Sequence, residues 1–255
     1  MRVDAGDNAG IGGFIVTGNT SKRVIIRGLG PSLTKFGFSS SELLADPTLE
    51  LHGPSGFATV INNNWKDSQE AEIQAAGLAP ENDLESAIDV TLAPGNYTAI
   101  VRGRSSTPQA GIALVEIYDV NAGATSKLAN LSTRALVGTG SNVVIAGFIL
   151  GNGNTNDRIV VRGLGPSLSS FGVPNALPDP TLELRDQNGA LLRSNNDWAD
   201  DSAQATEITA AGLAPTNSKE SAIAATLAPG QYTAILAGVN NGTGVGLVEI
   251  YDRGP

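Results

Sequence analysis

The sequence predicts an all-β chain built from two tandem antiparallel β-sandwiches, Greek-key or jelly-roll in type, each with one short helix. Three observations predict it. Short β-branched or alternating runs, bounded by glycine and proline, recur along the whole chain. The 31 glycines and 13 prolines show no collagen period, so they belong to turns between many short strands. Six motifs occur twice in the same order, 133 to 135 residues apart.

The repeat is read directly from the residues. Arg27-Gly-Leu-Gly-Pro-Ser-Leu33 returns as Arg162-Gly-Leu-Gly-Pro-Ser-Leu168, and Asp46-Pro-Thr-Leu-Glu-Leu51 as Asp179-Pro-Thr-Leu-Glu-Leu184. Asn62-Asn-Asn-Trp65 returns as Asn195-Asn-Asp-Trp198, and Ala75-Ala-Gly-Leu-Ala-Pro80 as Ala210-Ala-Gly-Leu-Ala-Pro215. Leu92-Ala-Pro-Gly95 with Tyr97-Thr-Ala-Ile100 returns as Leu227-Ala-Pro-Gly230 with Tyr232-Thr-Ala-Ile235, and Val115-Glu-Ile-Tyr-Asp119 as Val248-Glu-Ile-Tyr-Asp252. Solenoid units run roughly 20–50 residues, so this period is that of a whole domain with its own core. The expected division is residues 1–122, a linker at 123–130, and residues 131–255. The second copy has a lead-in, Leu128–Arg134, before Gly147-Phe-Ile-Leu150, whereas only twelve residues precede Gly13-Phe-Ile-Val16. The first copy is therefore expected to lack part of its lead-in strand.

Strands follow in order. Phe14–Thr17 and Arg23–Ile26 are β-branched runs, Thr48–Leu51 and Ser86–Leu92 alternate, and Phe57–Ile61, Tyr97–Val101 and Ile112–Tyr118 complete about seven strands per copy. One short helix is expected after Asp67-Ser68 as N-cap, with Glu70 and Glu72 in the first turn and Gly77 just past the end. Asp201-Ser202 and Gly212 take those roles in the second copy. The stretch Leu92–Tyr97 resembles a tyrosine corner, in which a phenol bonds back to upstream backbone and pins a Greek-key crossing.

Composition removes several function classes. Net charge is −9, shared as −5 before residue 131 and −4 after it, with no basic cluster to meet phosphates. No nucleic-acid partner is expected. No run of 18 apolar residues exists, so no membrane span is expected. With no cysteine, thiolate chemistry and Cys-bound zinc are absent.

The motifs that could carry chemistry have structural readings beside them. Gly28-Leu-Gly30 lacks the third glycine and the long helix of a dinucleotide fingerprint, which leaves a turn. Ser32 lacks the flanking glycine of a nucleophile elbow, and the single histidine, His52, is replaced by Arg185 in the second copy. Arg27 and Arg162 end apolar runs and need partners; Glu50 and Glu116, and Glu183 and Glu249, are at hand for internal ion pairs, against an anion clamp as the functional reading. Asn62, Asn63, Asn64 and Asp67, with Asp46, offer close-spaced hard oxygens suited to calcium. So do Asn195, Asn196, Asp197, Asp200 and Asp201, with Asp179. The competing reading is a polar turn that caps the following helix. Trp65 and Trp198 stack on a sugar if exposed, or lid the core if buried.

Taken together, the string RGLGPSL, DPTLEL, NNxW, LAPGxYTA, VEIYD resembles repeat modules of large secreted or surface proteins of bacteria, over nearly the whole chain. The last two-thirds of each copy is also similar to pre-peptidase C-terminal-type β-sandwiches, and departs from them at the inserted Trp and short helix. The resemblance implies an extracellular or cell-surface accessory role. The expected function is a non-catalytic structural or adhesive module, a subunit of a fibre assembled by strand exchange with copies of itself or other surface proteins. The alternative is a calcium-assisted carbohydrate-binding module.

Overall fold

The computed structural model describes residues 1–4, 9–104, 110–121, 125–151 and 155–255. They form two compact units, Met1–Leu131 and Ser132–Pro255, each all-β with antiparallel sheets and few short helices.

In the first unit the strands are β1 (Arg2–Val3), β2 (Gly10–Thr17), β3 (Lys22–Leu29), β4 (Pro47–His52), β5 (Val60–Asn62), β6 (Ser86–Leu92), β7 (Gly95–Gly103), β8 (Gly111–Ile112) and β9 (Leu114–Asp119). One sheet runs β2-β7-β4-β5 and the facing sheet β6-β3-β9. Among the described strands of this unit only β4 and β5 are neighbours in both sequence and sheet, the non-local order that Greek-key connections produce. Alternation explains the core. Phe14 and Val16, Leu49 and Leu51, and Ala99 and Val101 point inward from one sheet and meet Val24, Ile26 and Ile88 from the other. Phe14 also stacks on Tyr97, ring centroids 5.5 Å apart.

Ile25, between two core residues, is equally buried. The outer face of the second sheet is covered too, by a layer in which Trp65, Ile73 and Ala87 pack together. This is the purpose of the short helix α1 (Glu70–Ala75), and it is why β3 reads as a continuous apolar run instead of alternating.

The second unit repeats the plan with β11 (Val144–Leu150), β12 (Asp157–Leu164), β13 (Pro180–Asp186), β14 (Leu191–Asn195), β15 (Ser221–Leu227), β16 (Gly230–Gly238) and β17 (Gly244–Asp252). One sheet is β11-β16-β13-β14, and β15-β12-β17 faces it. Helix α2 (Ser202–Ala210) lays Ile208 on Val160, Ala222 and Ala224. The tyrosine corners form as expected: the Tyr97 hydroxyl donates to the Ala93 carbonyl at 2.9 Å and Tyr232 to Ala228 at 2.8 Å.

Three local expectations change. The segment expected as a linker at 123–130 is strand from residue 127: β10 (Lys127–Val137) opens in the first unit, where it lies beside β2. Its Leu128 and Leu131 pack on the first core, which is why it is ordered as strand. Residues 122–124 of that segment lie outside the described ones. The strand expected at Phe57–Ile61 begins at Val60, because Phe57 turns in to pack edge-on against Tyr97. Helix α1 is not capped by Asp67 or Ser68. Ser68 is extended, and Gln69 takes the N-cap position in the left-handed region, φ 61°. In α2 the expected Asp201 cap does form, its Oδ1 accepting from the Ala203 and Gln204 amides.

Candidate functional site

The Arg-Gly-Leu-Gly-Pro-Ser-Leu loop of each unit gathers polar groups that bond to the protein itself. Glu85 is fully buried and accepts, through Oε1, from the amides of Gly30 and Ser32 at 2.9 Å each and from the Ser32 hydroxyl at 2.7 Å. The second copy repeats this with Glu220, Gly165 and Ser167. The loop is thus an anion nest filled by the protein's own carboxylate. Gly30 is required by space: a Cβ there would run into the Leu44 carbonyl, as one on Gly165 would into that of Leu177. The Ser32 hydroxyl, bonded to Glu85, is part of the nest.

Each motif arginine is clamped. Arg27 Nε donates to Glu116 Oε2 at 2.7 Å, Nη1 to the Leu78 carbonyl at 3.0 Å and Nη2 to the Tyr118 hydroxyl at 3.1 Å. Arg162 does the same with Glu249, Leu213 and Tyr251. The pairs face each other across adjacent strands, Arg27 opposite Glu116 and Arg162 opposite Glu249. Burial, reinforced by the neighbouring glutamate, pushes the Tyr118 and Tyr251 phenols above their ordinary value. Glu50 and Glu183 are not partners of these arginines. They stand on β4 and β13, in the opposite sheets, and bond two residues along their own strands, to His52 at 3.2 Å and to Arg185 at 2.9 Å.

Several Asn and Asp side chains of the Asn/Asp turns hydrogen-bond to the protein itself. Asn62 Oδ1 accepts from the Ala87 amide while its Nδ2 donates to the Asn64 carbonyl; Asn195 bonds identically to Ala222 and Asp197. Asn63 bonds to Thr48 and Asn64, and Asp201 caps α2. Asp46 faces Arg104 at 3.5 Å and Asp179 faces Lys219 at 3.0 Å. Asp67 ends a 3-10 turn, and Asn196, Asp197 and Asp200 lie along the loop leading to α2. Among the described residues no three His, Cys, Asp or Glu side chains come together. The oxygens of Asn62, Asn195 and Asp201 accept from backbone amides, while Asp46 Oδ1 and Asp179 Oδ1 are buried without a hydrogen-bond partner among the described residues.

The asparagines share their task with a pair of glutamines. Gln69 donates from Nε2 to the Asp89 carbonyl and accepts at Oε1 from the Asp89 amide; Gln204 does the same to Ala224. Ala87 and Asp89 are on β6, an edge strand, and Ala222 and Ala224 on β15, also an edge. Side-chain amides therefore occupy the backbone groups that a further strand would need.

Trp65 is 4% exposed and offers no face to a sugar. Trp198 is half-buried against the α2 layer. Trp65 is buried with Ile73 and Ala87 in the layer on the outer face of the second sheet, apart from the core between the sheets.

Glu85 and Glu220, and Gln69 and Gln204, escaped the sequence reading. A signal existed for the first pair, because Glu-Ser-Ala-Ile stands at 85–88 and again at 220–223. The glutamines gave less, since the copies differ in length just before them.

No helix among the described residues is long and apolar enough to cross a membrane. No family model matches the chain, and no curated protein does. Among solved structures it is similar to one from the Sulfolobus turreted icosahedral virus, at 12% identity and a TM-score of 0.26, over 99% of this chain and 88% of that one.

Proposed function

We propose that the chain is a non-catalytic structural module of an extracellular or cell-surface protein, in which tandem sandwiches are strung along an array. One observation carries this reading. The polar residues shared by both copies bond to the protein itself: the Arg27–Glu116 clamp, the Glu85 nest, the Asn62 and Gln69 edge contacts and the Tyr97 corner each have their twin. Duplicated polar chemistry directed inward serves stability and leaves little to meet a substrate. The resemblance of the repeated motifs to modules of bacterial surface proteins supports the location.

The test combines a glycan array, a panel of hydrolase substrates and single-molecule stretching of the intact chain. The expected result is no glycan retention, no turnover, and two unfolding events of similar length. Retention lost in Trp198→Ala, or turnover of any substrate, overturns the reading.

A further inference from the structure

The two copies treat one sheet edge differently. In the first unit the outer side of β2 is covered by β10. The Thr17 hydroxyl donates to the Lys127 carbonyl at 3.4 Å, and Leu128 and Leu131 seal the core below. Under that cover Phe14 is 2% and Val16 1% exposed, and the outward Ile11 and Ile15 are half-buried.

In the second unit β11 is the counterpart of β2. It pairs with β16 as β2 pairs with β7, Phe148 opposite Tyr232 where Phe14 stands opposite Tyr97. On its other side no strand lies among the described residues. The consequences are visible in burial. Ile145 and Ile149, the counterparts of Ile11 and Ile15, are 51% and 71% exposed, and Phe148 and Leu150 open to 6% and 8%. Val144–Leu150 has no charge and no proline, the devices that commonly blunt an edge. The edge strands β6 and β15 are, by contrast, occupied by asparagine and glutamine amides.

We propose that β11 accepts an added strand in the manner in which β2 accepts Lys127–Leu131, and that the occupant is the lead-in strand of a further repeat of the same kind. Backbone amides and carbonyls would complete the ladder, and two leucines spaced as Leu128 and Leu131 would close the core beside Phe148 and Leu150. This rests on the array reading above and names its joint: each repeat receives the opening strand of the next.

The test uses the intact chain extended in cis, with a second copy of Val120–Leu131 joined after Asp252, the position equivalent to Asp119. The expected result is amide exchange at 144–150 slowed at least tenfold relative to the parent chain, with β2 unchanged. A labelled peptide of the Lys127–Val137 sequence, titrated into the parent chain, gives the same reading should the extended chain fold poorly. Saturable binding is expected, weakened at least tenfold by Ile149→Lys. Unchanged β11 exchange together with no peptide binding overturns the proposal. So does a dimer of the parent chain that protects β11 without any peptide, because the occupant is then a second β11. None of these outcomes touches glycan retention or turnover, so the joint and the array reading fail separately.

Discussion

Gln69 and Asp89 are joined by two hydrogen bonds, the Gln69 amide donating to the Asp89 carbonyl at 2.6 Å and accepting from the Asp89 amide at 3.1 Å. A single side chain thereby copies the contacts of a neighbouring strand. Gln69 makes this pair from φ 61°, a conformation that disfavours most L residues. Gln204 makes the equivalent pair from inside α2, so two different local backbones reach one end.

Removing that contact opens the edge. Gln69→Ala is expected to lower the stability of the first unit by about 1–2 kcal/mol, for two modest hydrogen bonds lost near solvent. Exchange of the Asp89 amide quickens with it. Urea unfolding and amide exchange check the two effects, and an Asp89 amide as slow as in the parent would show that the pair does not guard the edge.

Glu85 is the polar centre of the first unit. Glu85→Ala leaves the Gly30 and Ser32 amides and the Ser32 hydroxyl without their acceptor and is expected to cost about 3–4 kcal/mol. Glu85→Gln keeps a neutral acceptor at the same place and is expected to cost about half as much. Equal losses in the two variants, measured by urea unfolding, would contradict a role through the charge.

The Arg27–Glu116 pair is 15% and 23% exposed at its side chains, short of full burial. Glu116→Ala is expected to cost about 2–3 kcal/mol, somewhat under the 3–5 typical of breaking a fully buried pair. Replacing both residues by apolar ones of similar size, Arg27→Met with Glu116→Leu, is expected to recover most of that loss. A double-mutant cycle on the unfolding free energies measures the coupling.

The phenols of Tyr97, Tyr118 and Tyr251 are held above their ordinary value, in each case mainly by burial. An acid whose folded pKa is raised favours the protonated native state. Its contribution is complete below the unfolded value near 10 and is lost as pH rises through the folded value. Stability is therefore expected to fall steeply above about pH 10, and less steeply in the Tyr118→Phe, Tyr251→Phe double variant. Urea midpoints across pH 9 to 11 check this; identical profiles would contradict it.

Much of this protein was legible along the chain. The 133-to-135-residue offset of six motifs requires two like domains, and alternating runs closed by Gly and Pro require short antiparallel strands. The Tyr97 and Tyr232 corners and the Asp201 cap were readable because they are local, bonding within four residues. Tertiary structure decided the rest, for one physical reason: a side chain's partner is set by which strands lie side by side, and sandwich connections bring together residues far apart in sequence. Arg27 selects Glu116 over Glu50 because β9 lies beside β3 while β4 belongs to the facing sheet. Glu85 reaches Gly30 across 55 residues, and Asn62 turns its oxygen to the Ala87 amide on a strand edge. The composition of Val144–Leu150 identifies a strand; that its outer edge stands open while the same edge of Gly10–Thr17 is covered follows from where β10 lies.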